Sequence, residues 1–156
     1  MLGLAYDAAG PLKKPIAQRF DDYLKTHPSD ALSHYFYGKI LLDQKPDNVG
    51  TNLEHAQREL NKAIELNPDL AKAHLELGKV LKMRGDIRAA KTQVETVVKL
   101  DPESSDAYYQ LMQVYRKLGQ SQQSAMAAEK FQRLKNLKDK GTSREQVRKL
   151  LSGAKH

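Results

Sequence analysis

Five histidines, His27, His34, His55, His74 and His156, are the first residues to weigh as catalysts or ligands. Imidazole is the side chain that most readily moves protons or holds a metal near neutral pH. None of the five falls in an HExxH pair or a comparable ligand cluster. His34 and His74 occupy equivalent core-facing places in the chain and read as packing histidines. The absence of cysteine removes thiol nucleophiles, disulfides and cysteine-ligated zinc or iron–sulfur centres. Gly38, Gly78, Gly85 and Gly119 are helix-packing or turn glycines, since no strand leads into a glycine-rich phosphate loop. Serines and carboxylates are scattered without a base at suitable spacing. The residue types therefore imply no catalysis, no cofactor and no metal, and the functional chemistry must lie in binding.

With 156 residues, 40% of them hydrophobic, the chain is long enough for one compact unit or a short array of small repeats. No run approaches the roughly 18 apolar residues of a membrane-spanning helix. Residues 1–10 carry Asp7 where a signal peptide would need a basic start and an apolar stretch. These features predict a soluble chain without a transmembrane segment or signal peptide, and they favour the cytoplasm. The net charge of +7 is unevenly distributed: residues 1–68 hold 8 basic and 9 acidic side chains, whereas residues 103–156 hold 11 and 5. Basic character belongs to the C-terminal third.

Self-comparison reveals the organisation. Pro68 and Pro102 are 34 residues apart, Leu77-Gly78 lies between them, and Leu111-Met112 stands 34 residues beyond that pair. Upstream, Pro28 and Tyr37-Gly38 precede their counterparts by 40, so the same unit recurs there with about six extra residues. Each unit reads as two helices. His74, Leu77, Gly78 and Leu81 share one helical face, Gly85 supplies a left-handed stop and Asp86 the next N-cap. Ala90, Val94, Val97 and Val98 then form a second apolar stripe before Pro102 forbids continuation. Helices this short cannot bury their stripes singly, so the pairs must stack.

These residues resemble the tetratricopeptide repeat, whose pattern runs aromatic, Leu-Gly and Tyr on the first helix, then Ala, a Phe-like residue and Pro on the second. The best unit has His74, Leu77-Gly78, Leu81, Ala90, Val94 and Pro102. The preceding one has His34, Tyr37-Gly38, Leu41, Ala56, Leu60 and Pro68, with the insertion at residues 44–52 and helix ends expected at Pro46 and Gly50. The following unit has Tyr108, Leu111-Met112, Tyr115, Gly119, Ala125, Ala128 and Phe131, where Met112 and Ser124 replace small residues and predict looser packing. Leu2-Gly3, Tyr6, Gly10, Phe20 and Pro28 read as a further unit that has lost its opening turns. The resemblance implies an all-α fold, a right-handed α-solenoid of antiparallel helix pairs over residues 1–137. Its expected units are 1–30, truncated; 31–70, with the insertion; 71–104; and 105–137. Residues 138–156 form a basic tail, in which Thr142, Ser143, Glu145 and Gln146 signal a short helix able to cap the array with Val147, Leu150 and Leu151.

The same resemblance implies a noncatalytic scaffold that binds a protein or peptide in the concave groove lined by the first helices. Opposite the core stripe, at 100° per residue, lie Tyr35 and Lys39; Leu75, Lys79, Lys82 and Met83; and Tyr109, Gln113 and Arg116. Phe36 also points away from its helix's core stripe by this geometry. Aromatics among cations suit an acidic ligand with an apolar or aromatic anchor. The family's carboxylate clamp for chaperone C-termini is absent, because Tyr35 with Lys39, Leu75 with Lys79 and Tyr109 with Gln113 stand at its positions. The competing reading is nucleic-acid or anionic-membrane binding by the tail. It is the weaker one, since Phe131 is the only aromatic between residues 129 and 156 and offers no stacking platform.

Overall fold

The computed structural model of the chain describes residues 13–43, 49–141 and 144–152. Eight helices follow one another: α1 (Lys13–Thr26), α2 (Ala31–Asp43), α3 (Val49–Leu66), α4 (Ala71–Met83), α5 (Ile87–Leu100), α6 (Ser105–Lys117), α7 (Ser121–Asp139) and α8 (Arg144–Ser152). No strand occurs among the described residues.

Local chemistry sets the helix ends. Asp30 Oδ1 accepts from the backbone N–H groups of Leu32 (3.1 Å) and Ser33 (3.2 Å) at the start of α2. Asp86 caps α5 through the Ala89 N–H, and Ser104 caps α6 through the Ala107 N–H. Gly85 takes φ +87°, which lets the Asp86 N–H reach back to the Leu81 carbonyl at 2.9 Å and the Gly85 N–H to that of Lys82. A Cβ there would be strained, which is why the sequence places glycine after α4.

Helices pair as α2 with α3, α4 with α5 and α6 with α7, and these are the most extensive interfaces. The second helix of each pair also meets the first helix of the next, and α2, α4 and α6 touch in succession as an inner layer. This is an α-solenoid of helix pairs. Ile40, Leu60, Val80, Val94 and Val114 are fully buried along its length, and burial of a side chain of that size is worth roughly 1.5–3 kcal/mol.

Glycine makes the close pairing possible. A Cβ on Gly78 would lie 2.6 Å from Val94 Cγ2, and one on Gly38 would lie 2.8 Å from Leu60 Cγ. In the third pair Met112 takes that place without loosening the interface: α6 and α7 meet as extensively as the other pairs, and the Ser124 hydroxyl donates to the Met112 carbonyl at 3.0 Å.

The expected packing histidines have a more specific role. His34 Nε2 lies 3.0 Å from the Pro28 carbonyl and Nδ1 lies 2.7 Å from Glu59 Oε2. His74 repeats the arrangement with the Pro68 carbonyl and Gln93 Oε1, both at 2.8 Å. Each ring thus ties the turn before its helix to the second helix of the same pair. His55 approaches the other oxygen of Glu59 at 3.3 Å, so one carboxylate serves two imidazoles.

Several expectations need correction or fall elsewhere. Gly50 does not end a helix; it lies in the first turn of α3, which at 18 residues is longer than the 14-residue α5. A single glycine costs only about 1 kcal/mol in a helix, and Leu53, Ala56, Leu60 and Ala63 give α3 a continuous buried stripe. Pro46 lies outside the described residues, as do Leu2, Gly3, Tyr6 and Gly10 of the expected truncated unit and the Thr142-Ser143 pair. In α8, Val147 is buried and the Arg148 Nε donates to Glu103 Oε1 at 3.1 Å, so the helix is tied back to the α5–α6 turn. Leu150 and Leu151, the other expected capping side chains, are not among those described.

The pairing distance yields a direct test. Gly78→Val should lower unfolding stability by about 3 kcal/mol through overpacking against Val94. The chemical-denaturation midpoint measures it, and an unchanged midpoint would show that the glycine does not set the α4–α5 approach.

Candidate functional site

The inner layer of α2, α4 and α6 carries the residues expected to form the groove, and their environments differ sharply. Tyr35 is only 5% exposed and belongs to the main core cluster. Phe36 packs against that cluster too, its ring 6.4 Å from Phe20 and 4.9 Å from Tyr35. Neither is the open aromatic anchor that the helical wheel implied, because α1 covers this end of α2. Leu75 is half-buried against the second core cluster, which contains Val94, Val97 and Leu111. Open apolar surface is found instead at Met83, 58% exposed, and Tyr109, 40% exposed, with the Tyr109 ring 5.3 Å from Phe131 of α7.

The charged positions fall into two sectors. Toward α2, Lys79 Nζ pairs with Glu76 Oε1 at 2.8 Å, and the Glu76 side chain is buried. Asp43 lies within electrostatic reach: burial pushes its carboxyl up, Glu76 adds to that, and Lys79 opposes it. Lys39 is half-buried in the same stripe. This sector is close to neutral because its acids and bases compensate one another.

Toward α6 the balance is positive. Lys82 Nζ donates to Gln110 Oε1 at 2.6 Å and also to Gln113 Oε1, bridging α4 to α6. Gln110 is itself buried. Burial holds the Lys82 ammonium below the usual lysine range, and the neighbouring charges of Lys117 and Lys79 lower it further. Lys117 is exposed and within electrostatic reach of it, whereas Arg116, also exposed, lines a depression toward α7 with Met112, Ser124 and Ala128. The sector therefore gathers cations whose mutual repulsion an incoming anion would relieve, while the two glutamine oxygens fix one of them in place. Sequence spacing pointed to Lys82, Gln113 and Arg116, but it missed Gln110 and Lys117. Gln110 lies on the flank that meets α4, and only the inter-repeat packing brings it to Lys82.

The opposite side of α6 presents another feature. Tyr108, Leu111 and Tyr115 floor an open cleft of about 560 Å³ whose walls are α5 and α7. The Tyr115 hydroxyl donates to Glu95 Oε1 at 3.0 Å, and Lys91 sits 5.7 Å above the Tyr115 ring. Among the described residues no helix is long and apolar enough to cross a membrane.

Helix pairs stacked in this order, with glycine at two of the three crossings, define a helical-repeat scaffold for protein interaction. Residues 51–115 match the tetratricopeptide repeat family model. The crystal structure of MamA superposes with a TM-score of 0.72 at 24% identity, covering 87% of this chain and 83% of that one. The structure of MamA 41-end from Desulfovibrio magneticus RS-1 gives a TM-score of 0.65 at 21% identity, covering 84% and 69%. At this identity the likeness establishes the fold. Comparison with curated protein sequences finds no match.

Two titrations report on the two faces. The Lys82 proton is held less tightly in the folded chain than in the unfolded one, so stability gains from this group as pH rises toward about 10.5. Mass-spectrometric footprinting with an amine-acylating reagent across a pH series should place the midpoint of Lys82 reactivity at lower pH in the folded chain than in the urea-unfolded one. An equal or higher midpoint would contradict the lowered proton affinity. The phenols of Tyr37 and Tyr115 are pushed up to about 12, mainly by burial, with Glu95 adding to the effect at Tyr115. Their contribution to stability is complete below pH 10 and disappears as pH climbs through the folded values. Ultraviolet difference titration should therefore show a late phenolate phase that shrinks in Tyr115→Phe, and a single phase at about pH 10 would contradict it.

Proposed function

We propose that the concave groove binds an acidic segment of a protein partner, with carboxylates at the Lys82, Arg116 and Lys117 sector and an apolar or aromatic side chain against Tyr109 and Met83. The observation that carries this reading is the Lys82 ammonium, fixed between Gln110 and Gln113 with further cations beside it. An ammonium has three N–H donors, and the described bonds use two, which leaves one for a ligand. Leu75 and Phe36 serve the groove as supporting floor, and Tyr35 as core. Lys39 and Lys79 belong to the compensated sector with Asp43 and Glu76, where an anion gains less. The reading is that of a binding scaffold with no catalytic step.

The tail is the less favoured site. Arg148 is already paired with Glu103, and α8 presents no described aromatic surface for bases.

A double charge reversal, Lys82→Glu with Arg116→Glu, separates the two. Circular dichroism should be unchanged, because Arg116 is exposed and both glutamines can turn their amide N–H groups toward the new carboxylate. Binding of a fluorescent poly-glutamate peptide carrying one tyrosine should weaken at least about tenfold, while truncation after Leu137 should leave it within about twofold. Loss of binding on truncation with retention in the double mutant would move the site to the tail. Lys79 is a poorer choice for reversal, since a glutamate there would face buried Glu76 and disturb folding itself.

A further inference from the structure

The cleft behind α6 lies on the side away from the Tyr109, Gln113 and Arg116 stripe, and nothing in the proposed groove function uses it. Its walls, α5 and α7, make no extensive contact with each other, so the trough between them is floored by α6 alone. Leu111 and Ala127 are buried at the bottom. Tyr108 and Tyr115 share the floor, Val98 lines the α5 wall, and Met126 stands on the α7 wall with 62% of its surface exposed. A flexible thioether beside aromatic faces adapts readily to an incoming apolar side chain. The volume of about 560 Å³ accommodates a few such side chains.

The rim supplies charge. Glu95 is already engaged by the Tyr115 hydroxyl and lies 3.6 Å from Lys91 Nζ. Lys99 and Lys130 are exposed on opposite walls, and no carboxylate among the described residues pairs with either. An occupant must therefore bring apolar anchors and carboxylates together. The chain's own ends do not: residues 138–156 hold six basic and two acidic side chains, and residues 1–12 hold Asp7 as their one acid.

We infer that the cleft between α5 and α7 is a second protein-docking site, which receives a partner's amphipathic helix bearing an apolar face and flanking carboxylates. A helix lies naturally in a trough walled by two others, with anchors at i, i+3 or i+4 entering between Val98 and Met126. Lys99 and Lys130 then meet carboxylates on the two edges of that helix. The array would hold one partner on each face, with α6 common to both sites.

A random-peptide library displayed on phage, panned on the full chain and counter-selected on Met126→Glu, tests this. Enriched peptides should carry Leu, Met or Phe at helical spacing with Asp or Glu beside them. Their affinity should drop at least about tenfold in Met126→Glu and in the Lys99→Glu, Lys130→Glu pair, and should be unaffected by Lys82→Glu with Arg116→Glu. All these positions are exposed except Lys82, and circular dichroism checks each fold. Failure to enrich any Met126-dependent peptide, enrichment of basic flanks, or loss of binding only in the groove variant would each overturn the inference. A dimer by sedimentation that Met126→Glu dissociates would also overturn it, assigning the cleft to a second copy of this chain.

Discussion

The contact between an absent side chain and a valine governs this molecule. At Gly78 the backbone of α4 comes so near Val94 of α5 that no Cβ fits, and Gly38 repeats the arrangement against Leu60. Dispersion and burial at such a crossing are large because the glycine backbone packs directly on the facing side chain. Everything farther out inherits the angle set there. The first helices are brought side by side, and their outer stripes merge into one groove. In the third pair Met112 stands at that place, and the Ser124 hydroxyl donates to its carbonyl.

The histidines add a directional link that packing lacks. A turn closed by proline has a carbonyl with no helical partner, and His34 and His74 each place a ring nitrogen on one. The other nitrogen reaches across to Glu59 or Gln93 on the second helix. One ring thus satisfies a turn and orients a pair. The substitution of Gln93 for a glutamate leaves the middle pair with a neutral version of the same link, whereas the preceding pair concentrates His34 and His55 on a single carboxylate.

Charge divides the molecule along its length as well as between its faces. Near α2 the groove compensates its own ions, while near α6 it accumulates cations around a desolvated lysine. Behind α6 a different pair of lysines flanks apolar surface. A helix only 13 residues long thereby contributes to two chemically distinct surfaces.

Period, helix pairing and the helix boundary at Gly85 and Asp86 were determined by the sequence itself. Proline, Gly85 and Asp86 act through backbone geometry within a few residues, so their effect does not wait for tertiary contacts. The groove was only partly legible. A helical wheel divides a helix into a core side and a solvent side, but α2 is enclosed by α1, α3 and α4, which is why Tyr35 and Phe36 are covered. The same limitation concealed Gln110 and Lys117, whose partners lie a full repeat away. The cleft behind α6 had no sequence signal at all: Val98, Tyr108 and Leu111 read as core, and only the spacing of α5 and α7 leaves them lining open surface. Local backbone chemistry is written residue by residue, whereas the distance between two helices that do not touch is set by everything packed between them.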